Sequence, residues 1–309
     1  MTTVLYTHPA CFDHDPGPMH PENPVRLKAV LTALDAPEFA ALERREAPRA
    51  EKRQIARVHT AAYVDAVFDA IPKTGRAGLD ADTGVSPGSG EAARRAAGAL
   101  CAAVDALMAE QAANAFCAVR PPGHHAEPAR AMGFCLFNNI AIGALHACRA
   151  HGLNRVAVVD FDVHHGNGTQ AMFWNEANLF FASTHQMPLY PGTGSVQERG
   201  AHDNIVNVPL APMAGSAEFR LGMQDVILPA LVAFEPEFLF VSAGFDAHEA
   251  DPLAGLRFHE DDYAWATTEL LAVARRVCAG RMVSSLEGGY DLEALAASAA
   301  AHVRALMAA

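Results

Sequence analysis

Seven short, mainly apolar runs are bounded by turn residues: Val4–Thr7, Ala115–Val119, Val156–Asp160, Leu179–Ser183, Ile205–Val208, Phe238–Ala243 and Met282–Leu286. They constrain the fold of this chain more than any other feature. A strand with one wet face alternates apolar and polar residues. These runs do not, so both of their faces must be covered. Between them lie longer stretches with the period of an amphipathic helix. In Glu260–Ala279, Tyr263, Thr267, Leu270, Leu271, Ala274 and Val277 share one face, and Gly280 supplies a stop. Glu91–Glu110 gathers Leu100, Val104, Leu107 and Met108, and the final segment gathers Leu292, Leu295, Ala299, Val303 and Leu306. Doubly buried strands alternating with such helices predict an α/β fold of three layers, with a mainly parallel sheet between two layers of helices. No repeat and no Pro/Ser-rich linker divides the chain, so residues 1–309 read as one domain. Cys11–Pro24 and Ile71–Gly90 read as surface loops.

Charge and composition exclude several classes of function. Lys and Arg total 23 against 35 Asp and Glu, a formal charge of −12. That is the wrong sign for a protein that works on nucleic-acid phosphates. No apolar run reaches the ~18 residues of a membrane span, and the start lacks the basic and apolar regions of a signal peptide. The six cysteines show no CxxC pairing and read as reduced core thiols. A cytoplasmic, bacterial protein is the expectation, with self-association left open. The fifteen histidines are unusual, because several stand beside aspartates and glycines.

In open α/β sheets ligands bind beyond the carboxyl ends of the strands. The predicted strands end in Arg120-Pro121-Pro122-Gly123-His124-His125, in Asp160-Phe161-Asp162-Val163-His164-His165-Gly166-Asn167, in Thr184-His185, in Ala243-Gly244-Phe245-Asp246-Ala247-His248, and in Leu286-Glu287-Gly288-Gly289-Tyr290. Five strand ends thus deliver His, Asp, Tyr and Gly to one rim.

In an extended segment Asp160, Asp162 and His164 share a face. Asp162 and His164 can reach one metal ion, and Asp246 on a neighbouring strand end is placed to complete the set. One imidazole and two carboxylates leave an open position, the form of a catalytic zinc site, and the oxygen-rich set also accepts Fe²⁺ or Co²⁺. A single Asp-x-His would more often cap a turn. Two carboxylates and two histidines within six residues at the end of a buried strand cost several kcal/mol without a cation. Facing a metal, one of His124 and His125 can take a proton from water while the other, paired with a carboxylate such as Asp160, holds positive charge. The glycines before Tyr290 let its phenol project from the strand end, where it can polarise a carbonyl from the side opposite a Lewis acid.

These segments, with Gly133-Phe134-Cys135-Leu136-Phe137-Asn138-Asn139, Tyr190-Pro191-Gly192-Thr193-Gly194 and His20-Pro21-Glu22-Asn23-Pro24-Val25-Arg26, resemble the histone deacetylase superfamily over nearly the whole chain. The resemblance implies an arginase-like fold with an eight-stranded parallel sheet, and Zn²⁺-dependent hydrolysis of an acylated amine, usually acetyl-lysine, with relatives that act on acetylpolyamines. By matching position it implies Asp162, His164 and Asp246 as ligands of one zinc ion and His125 as general base. It implies His124 with Asp160 as electrostatic partner, Asn167 as the partner of His125, and Tyr290 on the oxyanion. Gly133, Phe134 and Tyr190 would line the acyl-lysine tunnel. Structural K⁺ near the Asp160–His164 backbone and Ser183 is implied by the resemblance alone. Leu253 stands at a rim position where a polyamine-specific relative carries Glu, which weakens that alternative unless Asp80, Asp82 or Glu249 substitutes. An arginase-like two-metal hydrolase would want a carboxylate where Asn167 sits. A non-catalytic binding protein should have lost a ligand, a histidine of the pair or the tyrosine, and none is missing.

Overall fold

The computed structural model describes residues 2–309. Its strands are β1 (Thr3–Thr7), β2 (Glu43–Glu46), β3 (Ala77–Gly78), β4 (Gly84–Val85), β5 (Asn114–Cys117), β6 (Val156–Asp160), β7 (Leu179–Gln186), β8 (Ile205–Leu210), β9 (Phe238–Ala243) and β10 (Met282–Leu286). Eight of them form one sheet in the order β2-β1-β5-β10-β9-β6-β7-β8, and β3 pairs with β4 in a separate two-stranded ribbon. Every pairing in the large sheet is parallel.

The helices are α1 (Pro24–Ala33), α2 (Lys52–Ile55), α3 (Ala61–Asp69), α4 (Ser89–Met108), α5 (Asn139–His151), α6 (Asn167–Phe173), α7 (Ser216–Gly222), α8 (Leu228–Phe234), α9 (Glu260–Val277) and α10 (Leu292–Met307). They cover both faces, as doubly apolar strands require. On one face the β5 residues Asn114 and Phe116 meet α10, through Asn114 Nδ2 donating to the Leu306 carbonyl at 2.9 Å and Phe116 packing on the His302 ring. On the other face, Tyr6 of β1 donates its hydroxyl to the Ala102 carbonyl of α4 at 3.3 Å. The inner strands β5, β6, β9 and β10 are buried at every position. None of the described helices is long and apolar enough to cross a membrane. All six cysteines are free thiols, and five of them are buried.

All seven predicted strands form, and the sheet gains β2 as an eighth. Its sequence, Glu43-Arg44-Arg45-Glu46, carries no apolar signal because it lies at the sheet edge, where charged side chains face solvent and discourage pairing with another chain. The two segments expected to be surface loops are partly buried, with His14, Glu22, Val85 and Ser86 nearly or wholly inaccessible. In the second segment Val85 joins an apolar cluster; in the first, ion pairing is the reason. Buried Arg120 reaches the Glu22 carboxylate and donates to the Cys11 and His14 carbonyls at 2.8 and 3.2 Å. Arg26 pairs with Glu22 at 3.0 Å and donates to the Glu287 and Gly289 carbonyls at 2.6 and 2.5 Å. Two buried guanidiniums need such partners, and the first loop is drawn inside to supply them.

Candidate active site

The four central strands β5, β10, β9 and β6 end side by side, and the polar side chains lie in the turns just beyond them. β6 stops at Asp160, so Asp162 and His164 stand on the following turn and do not continue the strand. Short backbone bonds hold that turn: Asp160 Oδ1 accepts from the Asp162 amide at 3.0 Å and Asp162 Oδ1 from the His164 amide at 2.9 Å. His164 Nδ1 faces Asp162 Oδ1 at 3.2 Å and Asp246 Oδ2 at 3.1 Å. One ligand atom from each of the three residues lies within 4.8 Å of the other two.

This donor set fits a divalent cation. Asp162 and Asp246 are fully buried carboxylates beside each other, an arrangement that needs positive charge between them. Burial and the negative charge of Asp162 push the Asp246 carboxyl up. Burial alone would depress His164, but hydrogen bonds to both carboxylates outweigh it and push the imidazole up to about 10. The backbone also leaves space for the carboxylates: a Cβ at Gly288 would lie 2.0 Å from Asp246 Oδ2 and 2.6 Å from Asp162 Oδ2. The Gly288 amide donates to Asp162 Oδ2 at 2.8 Å, and the Val163 amide to Asp246 Oδ1 at 2.9 Å.

The histidine pair lies against this cluster, with ring centroids 4.0 Å apart. His124 Nδ1 meets Asp160 Oδ2 at 2.9 Å and its Nε2 lies 3.8 Å from Asp162 Oδ1. Burial works against its charge, yet Asp162 and Asp160 together push His124 up to about 10. His125 behaves in the opposite way, because burial, then the positive charges of His124 and His164, hold it well below the usual histidine range. Its tautomer follows from its neighbours. Asn167 Nδ2 donates to Glu127 Oε1 at 2.8 Å, which turns Asn167 Oδ1 toward His125 Nδ1 at 2.8 Å. Nδ1 therefore carries the proton and Nε2 keeps its lone pair.

Above the cluster is a cavity of about 190 Å³ lined by Asp82, His125, Gly133, Phe134, His164, Leu189, Tyr190, Leu253 and Tyr290. Phe134 stands 6.0 Å from the Tyr290 ring, and Tyr190 5.2 Å from that of His125. Gly133 and Phe134 both adopt left-handed backbone, with φ of 56° and 67°. At Gly133 a Cβ would strike the His125 ring at 2.4 Å. For Phe134 the conformation costs about 1–2 kcal/mol, and the turn between β3 and β4 clamps it. Asp82 Oδ1 accepts from the Gly133 amide at 3.1 Å and Thr83 Oγ1 from the Phe134 amide at 3.2 Å. Burial, partly opposed by Arg26 stacked 4.8 Å over its ring, holds the Tyr290 phenol well above its ordinary range. Tyr290 is a hydrogen-bond donor.

The histone deacetylase domain model matches residues 20–306, most of the chain. The chain belongs to the histone deacetylase family. As a member it is a hydrolase of the histone deacetylase-like amidohydrolases. It is 42% identical to a histone deacetylase-like amidohydrolase of Pseudomonas aeruginosa over 88% of this chain and 73% of the relative. With histone deacetylase 14, chloroplastic, of Arabidopsis thaliana it shares 39% identity over 98% of this chain and 76% of the relative. The crystal structure of the HDA15 HD domain superposes with a TM-score of 0.94 at 35% identity, covering all of this chain and 89% of that one. The histone deacetylase fold and its eight-stranded parallel sheet are thereby established for this chain.

The residues expected as metal ligands, as the histidine pair with its partners, and as tunnel lining lie at this centre or line its cavity. Asp162, His164 and Asp246 meet, His124 pairs with Asp160 and His125 with Asn167, and Gly133, Phe134, Tyr190, Leu253 and Tyr290 form walls. Of the acids considered as substitutes for a rim glutamate, only Asp82 lines the cavity. Glu249 instead faces His259 at 3.5 Å. Supporting groups were not read from the sequence. Glu287 Oε2 accepts from the Gly123 and His124 amides at 2.6 and 3.2 Å, and Asp251 accepts from the Tyr290 and Leu253 amides at 2.7 and 3.0 Å. Their signal was present, since buried acids adjoin catalytic motifs in both places, but Gly123, His124 and Tyr290, whose amides they hold, are distant from them in sequence.

Proposed function

We propose that this chain is a zinc-dependent deacetylase that hydrolyses the amide of acyl-lysine or a related small acylated amine, with residues 1–309 acting as one catalytic domain. The observation that carries the reading is the buried Asp162–His164–Asp246 cluster at the base of a narrow cavity walled by aromatic rings. Bound by these residues, a divalent cation supplies Lewis acidity, polarising the amide carbonyl and making a water more acidic.

The protein's own groups perform the rest. Nε2 of His125, free because Nδ1 is committed to Asn167, takes the proton of the attacking water and returns it to the departing amine. His124, charged through Asp160, keeps His125 neutral and steadies the negative charge that develops on the carbonyl oxygen. The Tyr290 phenol donates to that oxygen from the opposite side. Phe134 and Tyr190 admit a thin alkyl chain and exclude a branched one.

Asp82 is the one acid in the cavity wall, but its Oδ1 is already occupied by the Gly133 amide and the Thr83 hydroxyl. With Leu253 at the rim, acetyl-lysine peptides should therefore exceed acetylspermidine in kcat/KM. Turnover of the two substrate classes by the metal-loaded enzyme tests this. A tenfold preference for acetylspermidine, about 1.4 kcal/mol in transition-state binding, would move the assignment to polyamines.

A further inference from the structure

A second cluster of metal-ligating side chains lies far from the rim. Asp105, in the last turn of α4, places Oδ1 2.7 Å from Nε2 of His146 and 2.7 Å from Nε2 of His151, both on α5. The three donor atoms lie within 4.8 Å of one another. α4 leads into β5 and α5 into β6, so both helix ends lie where the strands begin, at the edge of the sheet opposite the catalytic turns. None of these residues takes part in the proposed hydrolysis.

We propose that Asp105, His146 and His151 form a second divalent-metal site, selective for borderline transition ions such as Zn²⁺, Ni²⁺ or Cu²⁺. Two imidazole nitrogens and one carboxylate oxygen suit those ions, whereas Mg²⁺ and Ca²⁺ want oxygen throughout. A tetrahedral ion with bonds of ~2.0–2.1 Å holds its ligands roughly 3.3 Å apart. Each Nε2–Oδ1 spacing therefore opens by about 0.6 Å on binding. Side chains that can move supply this opening. Asp105 is 56% exposed and His151 25%, while His146, at 7%, is the fixed ligand. The exposed side admits water as a fourth ligand. Asp105 and His151 both lie in helix C-terminal turns, whose free carbonyls favour a cation.

Arg57 restrains this site. Its Nη1 donates to His146 Nδ1 at 2.6 Å. A guanidinium cannot accept, so the His146 proton sits on Nε2 and points at Asp105. Metal uptake moves that proton to Nδ1, displaces Arg57 and works against its positive charge. On His151 the Nε2 proton likewise passes to Nδ1. Removing Arg57 should therefore tighten binding, which a merely structural hydrogen-bond cluster would not show.

The test is equilibrium dialysis against Zn²⁺ of the full chain and of Asp105→Ala, His151→Gln and Arg57→Gln, with circular dichroism to check folding. The wild type should take up about one more equivalent than Asp105→Ala or His151→Gln, and Arg57→Gln should hold that equivalent more tightly than the wild type. Equal uptake by wild type, Asp105→Ala and His151→Gln would overturn the proposal, as would weaker binding by Arg57→Gln. The comparison is a difference between variants, so it stands whether or not the catalytic assignment does.

Discussion

Gly288→Ala is the smallest change that should disable the site, because it adds one methyl group and no charge. The added Cβ would lie 2.0 Å from Asp246 Oδ2 and 2.6 Å from Asp162 Oδ2, where ordinary contact begins at 3.4 Å. Neither oxygen can yield easily, since each side chain is buried and bonded to a backbone amide, Gly288 itself for Asp162 and Val163 for Asp246. The Asp246 oxygen must retreat by more than an ångström. Metal ligands tolerate only about ±0.2 Å, and a misplacement of about 1 Å in a catalytic constellation can cost 100-fold. Gly288→Ala should therefore lose metal affinity and at least about 100-fold in kcat/KM. Overpacking should lower stability by only about 1–3 kcal/mol. Gly288 does not have positive φ, so space rather than backbone strain is what the variant tests. Metal content after dialysis, deacetylase turnover and thermal unfolding give the three readings. A folded variant that keeps its metal and wild-type turnover would refute the reasoning.

Three further expectations concern single groups. Tyr290→Phe should lower kcat by roughly 10²–10³ with metal content unchanged, as loss of one oxyanion donor does, and steady-state kinetics checks it. A carboxylate at position 167 raises the pKa of His125, so Asn167→Asp should move the acid limb of kcat/KM to higher pH. Because Glu127 lies 2.8 Å from Asn167 Nδ2, the cleaner measurement combines it with Glu127→Gln. Burial depresses His302 to about 3. The unfolded chain then binds a proton that the native state refuses, so the His302 contribution to stability is complete above pH 6.5 and falls as pH drops toward 3. The loss is on the order of 2 kcal/mol at pH 5. Denaturant melts should show this slope, and His302→Asn should flatten it.

The parallel core was legible because doubly buried strands are mainly apolar without strict alternation, and β6, β9 and β10 match their predicted ranges. β2 was not, since its Glu and Arg residues answer to solvent at an edge rather than to the core. The metal and histidine residues were legible because short spacings at strand ends translate directly into proximity. The groups that hold them in place were less so. Glu287 acts on Gly123 and His124 across more than a hundred residues, and Asp82 and Thr83 act on Gly133 and Phe134 across more than fifty, gaps that only the folded topology closes. The loop carrying His14 and Glu22 looked solvated because its sequence is polar. Its burial depends on Arg26 and Arg120, whose need for partners becomes apparent only once both are inside.

The most direct measurement titrates Zn²⁺ into chelator-stripped protein carrying Asp105→Ala, which removes the remote cluster, and follows deacetylation of an acetyl-lysine peptide against metal bound. Activity should be absent without metal, rise in proportion to the first equivalent and then level off. Adding His164→Ala should abolish both that equivalent and the activity. Full turnover after thorough chelation, or activity that rises only with a second equivalent, would contradict a single catalytic ion held by Asp162, His164 and Asp246.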